Sequence, residues 1–137
     1  MQVHINFIAV IVATVAAMVI GYIWYHPKVL GATWLKFAKI NPKKGDMAWS
    51  MTIAAVSALV MATVLAFFSY LYSYFFLGSF LMNAVTTALL VWFGFQGLRV
   101  LQRDAFNQRR KKESIIHVAN DLVTIMVMGV IIGLFGV

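Results

Sequence analysis

The chain has 137 residues, of which 63% are hydrophobic and 11% are charged, and its formal net charge is +7. Soluble domains carry about 25% charged residues, and a fold of this size leaves much of its surface exposed. These values exclude an ordinary soluble domain and indicate a membrane protein. The absence of cysteine excludes disulfides, thiolate metal sites and a cysteine nucleophile.

The first apolar stretch covers residues 5–25 and contains no charged residue. A membrane-spanning helix needs about 20 residues, whereas the apolar part of a signal peptide has about 7–15 and follows a positively charged start. No Lys or Arg lies among the first ten residues. We therefore expect a retained first span and no cleaved signal peptide.

A basic segment follows the first span. Pro27 favours the start of a helix, because proline suits the first helical position. Leu30 and Trp34 then fall on one side with Phe37, which is typical of a helix lying on a membrane surface with its apolar face down. Residues 41–42, an Asn-Pro pair, are expected to end it; the alternative is an ordinary loop with solvated charges. The lysines expected to contact lipid headgroups are Lys36, Lys39 and Lys43.

The next apolar stretch, residues 47–98, contains no charged residue and is too long for one span. A helix of this length is about 78 Å long, whereas the hydrocarbon core is about 30 Å thick. Gly78 and Ser79 supply a turn and an N-cap between two spans. A last apolar stretch begins near Ser114, which we interpret as its N-cap. The predicted fold is one all-α integral membrane domain, a four-helix bundle with a short interfacial helix after the first span. Its spans are expected at about residues 5–25, 48–71, 80–101 and 114–136.

Basic residues concentrate in the first and third loops, and the second loop has none. The positive-inside rule places both basic loops in the cytoplasm and both termini outside. Each basic residue near an anionic leaflet contributes about 1 kcal/mol to membrane attraction. The third-loop residues expected to contact headgroups are Arg109, Arg110, Lys111 and Lys112. Because this tract adjoins a span and lacks aromatic partners, we expect no nucleic-acid binding.

Small residues recur at every fourth position in two spans, and one glycine pair lies in the last. Helices in lipid do not associate through the hydrophobic effect, so close backbone approach stabilises their contacts. The positions are Ala9, Ala13, Ala17 and Gly21; Ala54, Ala58, Ala62 and Ala66; and Gly129 and Gly133. The partner helix belongs either to the same chain or to a second copy. We expect a homo-oligomer or a subunit of a larger membrane complex.

Asp121 is the only acidic residue inside the four apolar stretches. It shares a helix face of about 100° with His117, Asn120 and Thr124. An ionisable group at membrane depth is costly, so this intramembrane polar cluster is the main functional candidate.

The expected depth of Asp121 suggests its partners. If Ser114 is the N-cap, Asp121 lies about 10 Å into the fourth span. Gln96 lies at similar depth on the third span, and Arg99 lies slightly nearer the cytoplasm, so we predict that Asp121 pairs with Arg99. The cluster is then either a structural contact that closes the cytoplasmic end of the bundle, or a proton or cation relay in which His117 shares a proton with Asp121.

Motifs for catalysis are missing from the sequence. It has no HExxH motif, paired carboxylates, nucleophile elbow or glycine-rich phosphate loop. Its three histidines, His4, His26 and His117, are widely separated. We therefore expect no enzymatic activity, no cofactor and no metal site.

The segment Gly21–Pro27, with Gly31 and Trp34 after it, resembles the signature after the first span of domain-of-unknown-function family 1761. The runs Trp92–Phe95 and Val127–Gly129 are also similar to that family. The resemblance implies a small bacterial four-span protein without an assigned biochemical role, located in the inner (cytoplasmic) membrane. His117, Asp121 and the tract Arg109–Lys112 do not map onto its pattern.

Two functional hypotheses follow. The first is an oligomeric structural or accessory membrane protein that binds lipid or a larger complex. The alternative is an ion- or proton-conducting channel or transporter that uses the intramembrane Asp121–His117 cluster.

Overall fold

The computed structural model describes residues 2–38 and 47–137, and within them every regular element is helical. Four helices are long and apolar enough to cross a membrane, which confirms the predicted all-α four-span fold. Their bounds, close to the predicted ones, are Phe7–Trp24, Met47–Phe75, Phe80–Phe106 and Lys111–Phe135.

The first span, α1, is Phe7–Trp24, and a short helix follows it. A π-helical segment, Pro27–Gly31, leads into α2, Ala32–Ala38. The predicted helix that starts at Pro27 is therefore confirmed, and we call residues 27–38 the short helix. Its place at the membrane surface stays a prediction. Its expected end at residues 41–42, with Lys39 and Lys43, lies outside the described residues.

The turn between the second and third spans lies where the sequence predicts it. Helix α3 is Met47–Phe75, and α4 is Phe80–Val91. Gly78 has a φ of +138°, which favours glycine because it has no Cβ. Ser79 is the N-cap of α4, and its hydroxyl accepts a hydrogen bond from the Met82 amide at 3.2 Å.

The third span changes its helical pitch halfway. Helix α4 continues into a second π-helical segment, Trp92–Gly97, and then into α5, Leu98–Phe106. A Cβ at Gly97 would lie 3.0 Å from the Trp92 indole, so the glycine lets this ring lie on the backbone. A π-turn adds one residue, which rotates the following side chains by about 100° relative to a continuous α-helix.

The fourth span, α6, is Lys111–Phe135, so the predicted N-cap at Ser114 is wrong. Arg110 is the N-cap residue, and the Ser114 amide donates to its carbonyl oxygen at 3.2 Å. The Ser114 side chain is instead used inside the first turns, where it binds Asp104. Asp121 therefore lies about 15 Å from the start of the helix.

Helix α6 is the centre of the bundle and packs against α1 and α4, with further contacts to α3. A Cβ added to Gly129 would lie 2.8 Å from the Ala88 Cβ, and one at Gly133 would lie 2.7 Å from the Leu81 Cα. The glycine pair therefore permits a close approach of α6 to α4. The most buried large side chains of the core are Val10, Leu65, Ile125, Met128 and Ile132.

Candidate functional site

A tight turn after α1 folds the short helix back onto the bundle. Pro27 occupies its first position, and the His26 ring accepts a hydrogen bond from the Lys28 amide at 3.2 Å. A Cβ at Gly31 would clash with the carbonyl oxygen of Tyr25. Glycine at this position therefore permits the backbone contact that brings Trp34 back beside the end of α1.

Tyr25, Trp34 and His117 meet in a cluster that we call the cage. The Tyr25 hydroxyl lies 2.7 Å from His117 Nδ1, and Trp34 Nε1 donates to His117 Nε2 at 3.1 Å. The Tyr25 and Trp34 rings meet edge to face with centroids 5.1 Å apart. All three residues are partly buried. The cage joins the end of α1, the short helix and α6.

The geometry of the cage fixes the tautomer of His117. An indole nitrogen only donates, so Nε2 of His117 must carry a lone pair. In the neutral imidazole the proton is then on Nδ1, which donates to the Tyr25 hydroxyl oxygen. Burial raises the pKa of the Tyr25 phenol above its ordinary value, and the negative charge of Asp121 raises it further. Tyr25 therefore stays a neutral phenol whose own proton is free for another acceptor.

A tier of charged residues lies next to the cage, on the side toward the third loop. Glu113 Oε1 is 3.0 Å from Arg109 Nη1 and 3.9 Å from His117 Nε2. Asp104 is 1% exposed and accepts a hydrogen bond from the Ser114 hydroxyl at 2.8 Å. The side chain of Asp104 also lies within 3.8 Å of Arg109. This tier connects α5, the third loop and α6 by buried and partly buried polar contacts.

The predicted pairing of Asp121 with Arg99 is not found among residues 2–38 and 47–137. The Arg99 guanidinium donates to Gln102 at 3.0 Å, and Gln96 Nε2 lies 2.9 Å from the Met61 sulfur. The physical reason is the π-helical segment before Arg99, which rotates the end of the third span. Asp121 instead lies near Tyr25, on which its charge acts. Its chemical role stays a prediction.

Two other members of the predicted polar cluster have unpaired atoms. Asn120 Oδ1 and Thr124 Oγ1 are buried without a hydrogen-bond partner in the described part of the chain. Thr124 is only 8% exposed. It differs from helical threonines that donate to a carbonyl one turn earlier at 2.8 Å, namely Thr14, Thr52, Thr63 and Thr87. Buried polar atoms are usually paired, so this stretch of α6 is unusual.

The candidate headgroup-binding residues lie on the surface of the basic end. The exposed ones are Lys36, Arg109, Arg110, Lys111 and Lys112. Arg109 also forms the ion pair with Glu113, so its charge is partly compensated. Within residues 2–38 and 47–137 no group of three or more His, Asp or Glu side chains is arranged to hold a metal ion. Lipid contact by these residues stays a prediction.

Sequence reasoning identified His117 but missed its partners. Tyr25 and Trp34 precede it by 92 and 83 positions, and no local pattern links residues so far apart. Asp104 was missed because it lies among basic residues that were interpreted only as a signal of membrane topology. Two signals point to the charged tier: an acidic residue within a basic stretch, and the i, i+4 spacing of Arg109 and Glu113.

The segment that resembles a known family now has a structural explanation. Tyr25 and Trp34 form the cage, Gly31 permits the turn, and Gly129 permits the close packing of α6 on α4. The family model described as "Protein of unknown function (DUF1761)" matches residues 8–133. No curated protein and no solved structure matches the chain. Because the match covers nearly the whole chain, the protein belongs to the DUF1761 family of proteins of unknown function.

Proposed function

We propose that this protein is an accessory membrane protein that works as a homo-oligomer. The supporting observation concerns the two series of small residues at every fourth position, in α1 and α3, which we call ladders. Within one chain, only some members of each ladder are packed against another helix. In α1, Ala9, Ala13 and Ala17 are buried, but a Cβ at Gly21 would meet nothing within 4 Å. Gly21 is therefore a close-approach position with no described helix packed against its Cβ position.

The ladder of α3 ends in the same way. Three of its members are buried, with relative exposures of 6% for Ala58, 0% for Ala62 and 5% for Ala66. The first member, Ala54, is exposed. Between residues 47 and 57 only Ala55 is partly buried, and the other side chains are exposed. Apolar exposure alone is harmless in lipid, but small residues at an open face favour a second helix. We infer that a second copy of the chain covers Gly21 and Ala54.

The exposed basic residues support the membrane orientation of this proposal. Lys36 and the tract Arg109–Lys112 lie on segments that the positive-inside rule places in the cytoplasm, with both termini outside. They would hold the basic end of the oligomer against anionic headgroups of a bacterial inner membrane.

Substitution of Gly21, the last member of the α1 ladder, tests whether the protein forms the proposed oligomer. We expect Gly21→Leu to shift the protein from oligomer to monomer in lipid bilayers, as measured by single-molecule photobleaching at fixed protein-to-lipid ratio. The single chain has room for this side chain at its Cβ, so the fold is expected to survive. Val19→Leu is the matched control, because Val19 is 49% exposed and lies about 200° away on the same helix. A wild-type protein that is monomeric at every ratio would refute the proposal.

A second candidate function, proton or cation conduction, is favoured by one observation. Asn120 and Thr124 have buried oxygen atoms without partners among the described residues, and both lie within one turn of the carboxylate of Asp121. Beyond them, however, Ile125 and Met128 are fully buried, so an apolar layer follows the polar stretch. Proteoliposome flux separates the two candidates: conduction through this cluster predicts flux in the wild type that Asp121→Asn reduces. Equal background flux in both proteins contradicts conduction.

A further inference from the structure

The short helix packs on the rest of the protein through one face, and its central tryptophan supplies the polar contact. Lys28, Val29 and Lys36 are exposed, whereas Gly31 is buried and Leu30, Trp34 and Leu35 are partly buried. The hydrogen bond described between this helix and α6 is the one from Trp34 Nε1 to His117 Nε2, at 3.1 Å. The described hydrogen bond from the short helix to α6 therefore depends on the lone pair of one imidazole nitrogen.

We propose that the short helix is a pH-sensitive clasp, which neutral His117 holds against α6 and which protonation of His117 releases. A protonated imidazole has two N–H donors and no acceptor. The contact between Nε2 and the indole N–H then becomes a contact between two donors. The Tyr25 contact survives, because Nδ1 carries its proton in both states and the phenol oxygen still accepts.

Glu113 gives the protonated ring an alternative partner. Its Oε1 atom lies 3.9 Å from the same Nε2 atom that accepts from Trp34. A small rotation of either side chain would form a charge-assisted hydrogen bond between them. Protonation thus replaces a bond from the short helix by a bond within α6.

The charged and titratable groups around His117 come from four parts of the bundle. Tyr25 faces it from the end of α1, Glu113 lies one turn before it on α6, and Asp121 lies one turn after it. From α5 and the third loop, the groups that act on it are Asp104, Arg103 and Arg109. Helices α3 and α4 carry no charged residue, and Lys28 and Lys36 of the short helix are both exposed.

The protonation state of His117 in the attached state decides whether low or high pH favours the clasp. The clasped state needs neutral His117, so the contact is stabilised at pH values above the titration of the imidazole. It is lost as the pH falls and the ring takes up a proton. The proposal is independent of the oligomer, because Gly21 and Ala54 take no part in the cage.

Indole NMR of the full-length protein in anionic lipid nanodiscs tests the clasp. We expect the Trp34 indole N–H signal to shift between about pH 8 and pH 5. Its protection from exchange with water, measured against a free indole at the same pH, is expected to fall about fivefold or more, the effect of losing one net hydrogen bond. Trp34→Phe assigns the signal. The Trp92 indole is the internal control, because its buried N–H has no partner in the described residues, and its protection relative to free indole is expected to stay unchanged.

Two variants separate the clasp from general acid destabilisation. His117→Gln keeps a neutral acceptor and is expected to abolish the pH response of Trp34. Glu113→Gln removes the alternative anionic partner and is expected to move the response to lower pH without abolishing it. A Trp34 signal that stays constant to about pH 5, whether or not His117 titrates, overturns the proposal. The same response in His117→Gln as in the wild type also overturns it.

Discussion

Asp104 is expected to be the carboxylate that holds the basic end of the bundle together. Its hydrogen bond from the Ser114 hydroxyl is buried and charge-assisted, a type that contributes about 1.5–3 kcal/mol. Its ion-pair partners Arg103 and Arg109 are 57% and 42% exposed, so solvent screening limits each pair to about 0–1 kcal/mol. We expect Asp104→Ala to lower the free energy of unfolding by about 3 kcal/mol.

Reversible unfolding in mixed detergent micelles, followed by circular dichroism, measures this effect. Asp104→Asn keeps an acceptor for Ser114 and is expected to cost about 1 kcal/mol. A double-mutant cycle of Asp104→Ala with Ser114→Ala is expected to give a coupling of at least about 1 kcal/mol. Gln102→Ala is the control, because Gln102 is exposed, contacts Arg99 rather than Asp104, and is expected to change the stability by no more than about 0.5 kcal/mol. Additive effects of the Asp104 and Ser114 substitutions would refute this reasoning.

Three further changes test the turn, the packing and the topology. Gly31→Ala is expected to detach the short helix and to increase trypsin cleavage after Lys36, whereas Gly94→Ala is the control because its Cβ meets nothing within 4 Å. Gly129→Val is expected to cost about 1–3 kcal/mol in the same unfolding assay, because its side chain would overpack the contact with α4; an unchanged stability contradicts this. A cysteine introduced at Ser73 is expected to react with an impermeant maleimide from outside, and one introduced at Lys36 is not; the opposite pattern reverses the topology.

The four spans could be predicted from sequence because their signal is local. A run of uncharged residues of sufficient length predicts a span, and Gly78 with Ser79 predicts the turn between two of them. The start at Pro27 was predictable for the same reason, since proline limits the backbone at its own position. The start of α6 was missed because Ser114 suits an N-cap but is used as a donor to Asp104.

The partners of the polar residues were not predictable from the same signals. Counting depth along straight α-helices places Arg99 near Asp121, but the π-helical segment Trp92–Gly97 turns it away. The cage depends on contacts among Tyr25, Trp34 and His117 that close over large sequence separations. Such contacts follow from tertiary packing, and helical periodicity carries no information about them.

Disulfide crosslinking in native membranes tests the proposed oligomer most directly. The chain has no cysteine, so a single introduced cysteine reports on one position. We expect Gly21→Cys to form a covalent dimer rapidly under mild oxidation, and Val19→Cys, on the other side of α1, to remain monomeric. Equal crosslinking at both positions, or none at Gly21→Cys, would contradict a second copy packed at the open end of the ladder.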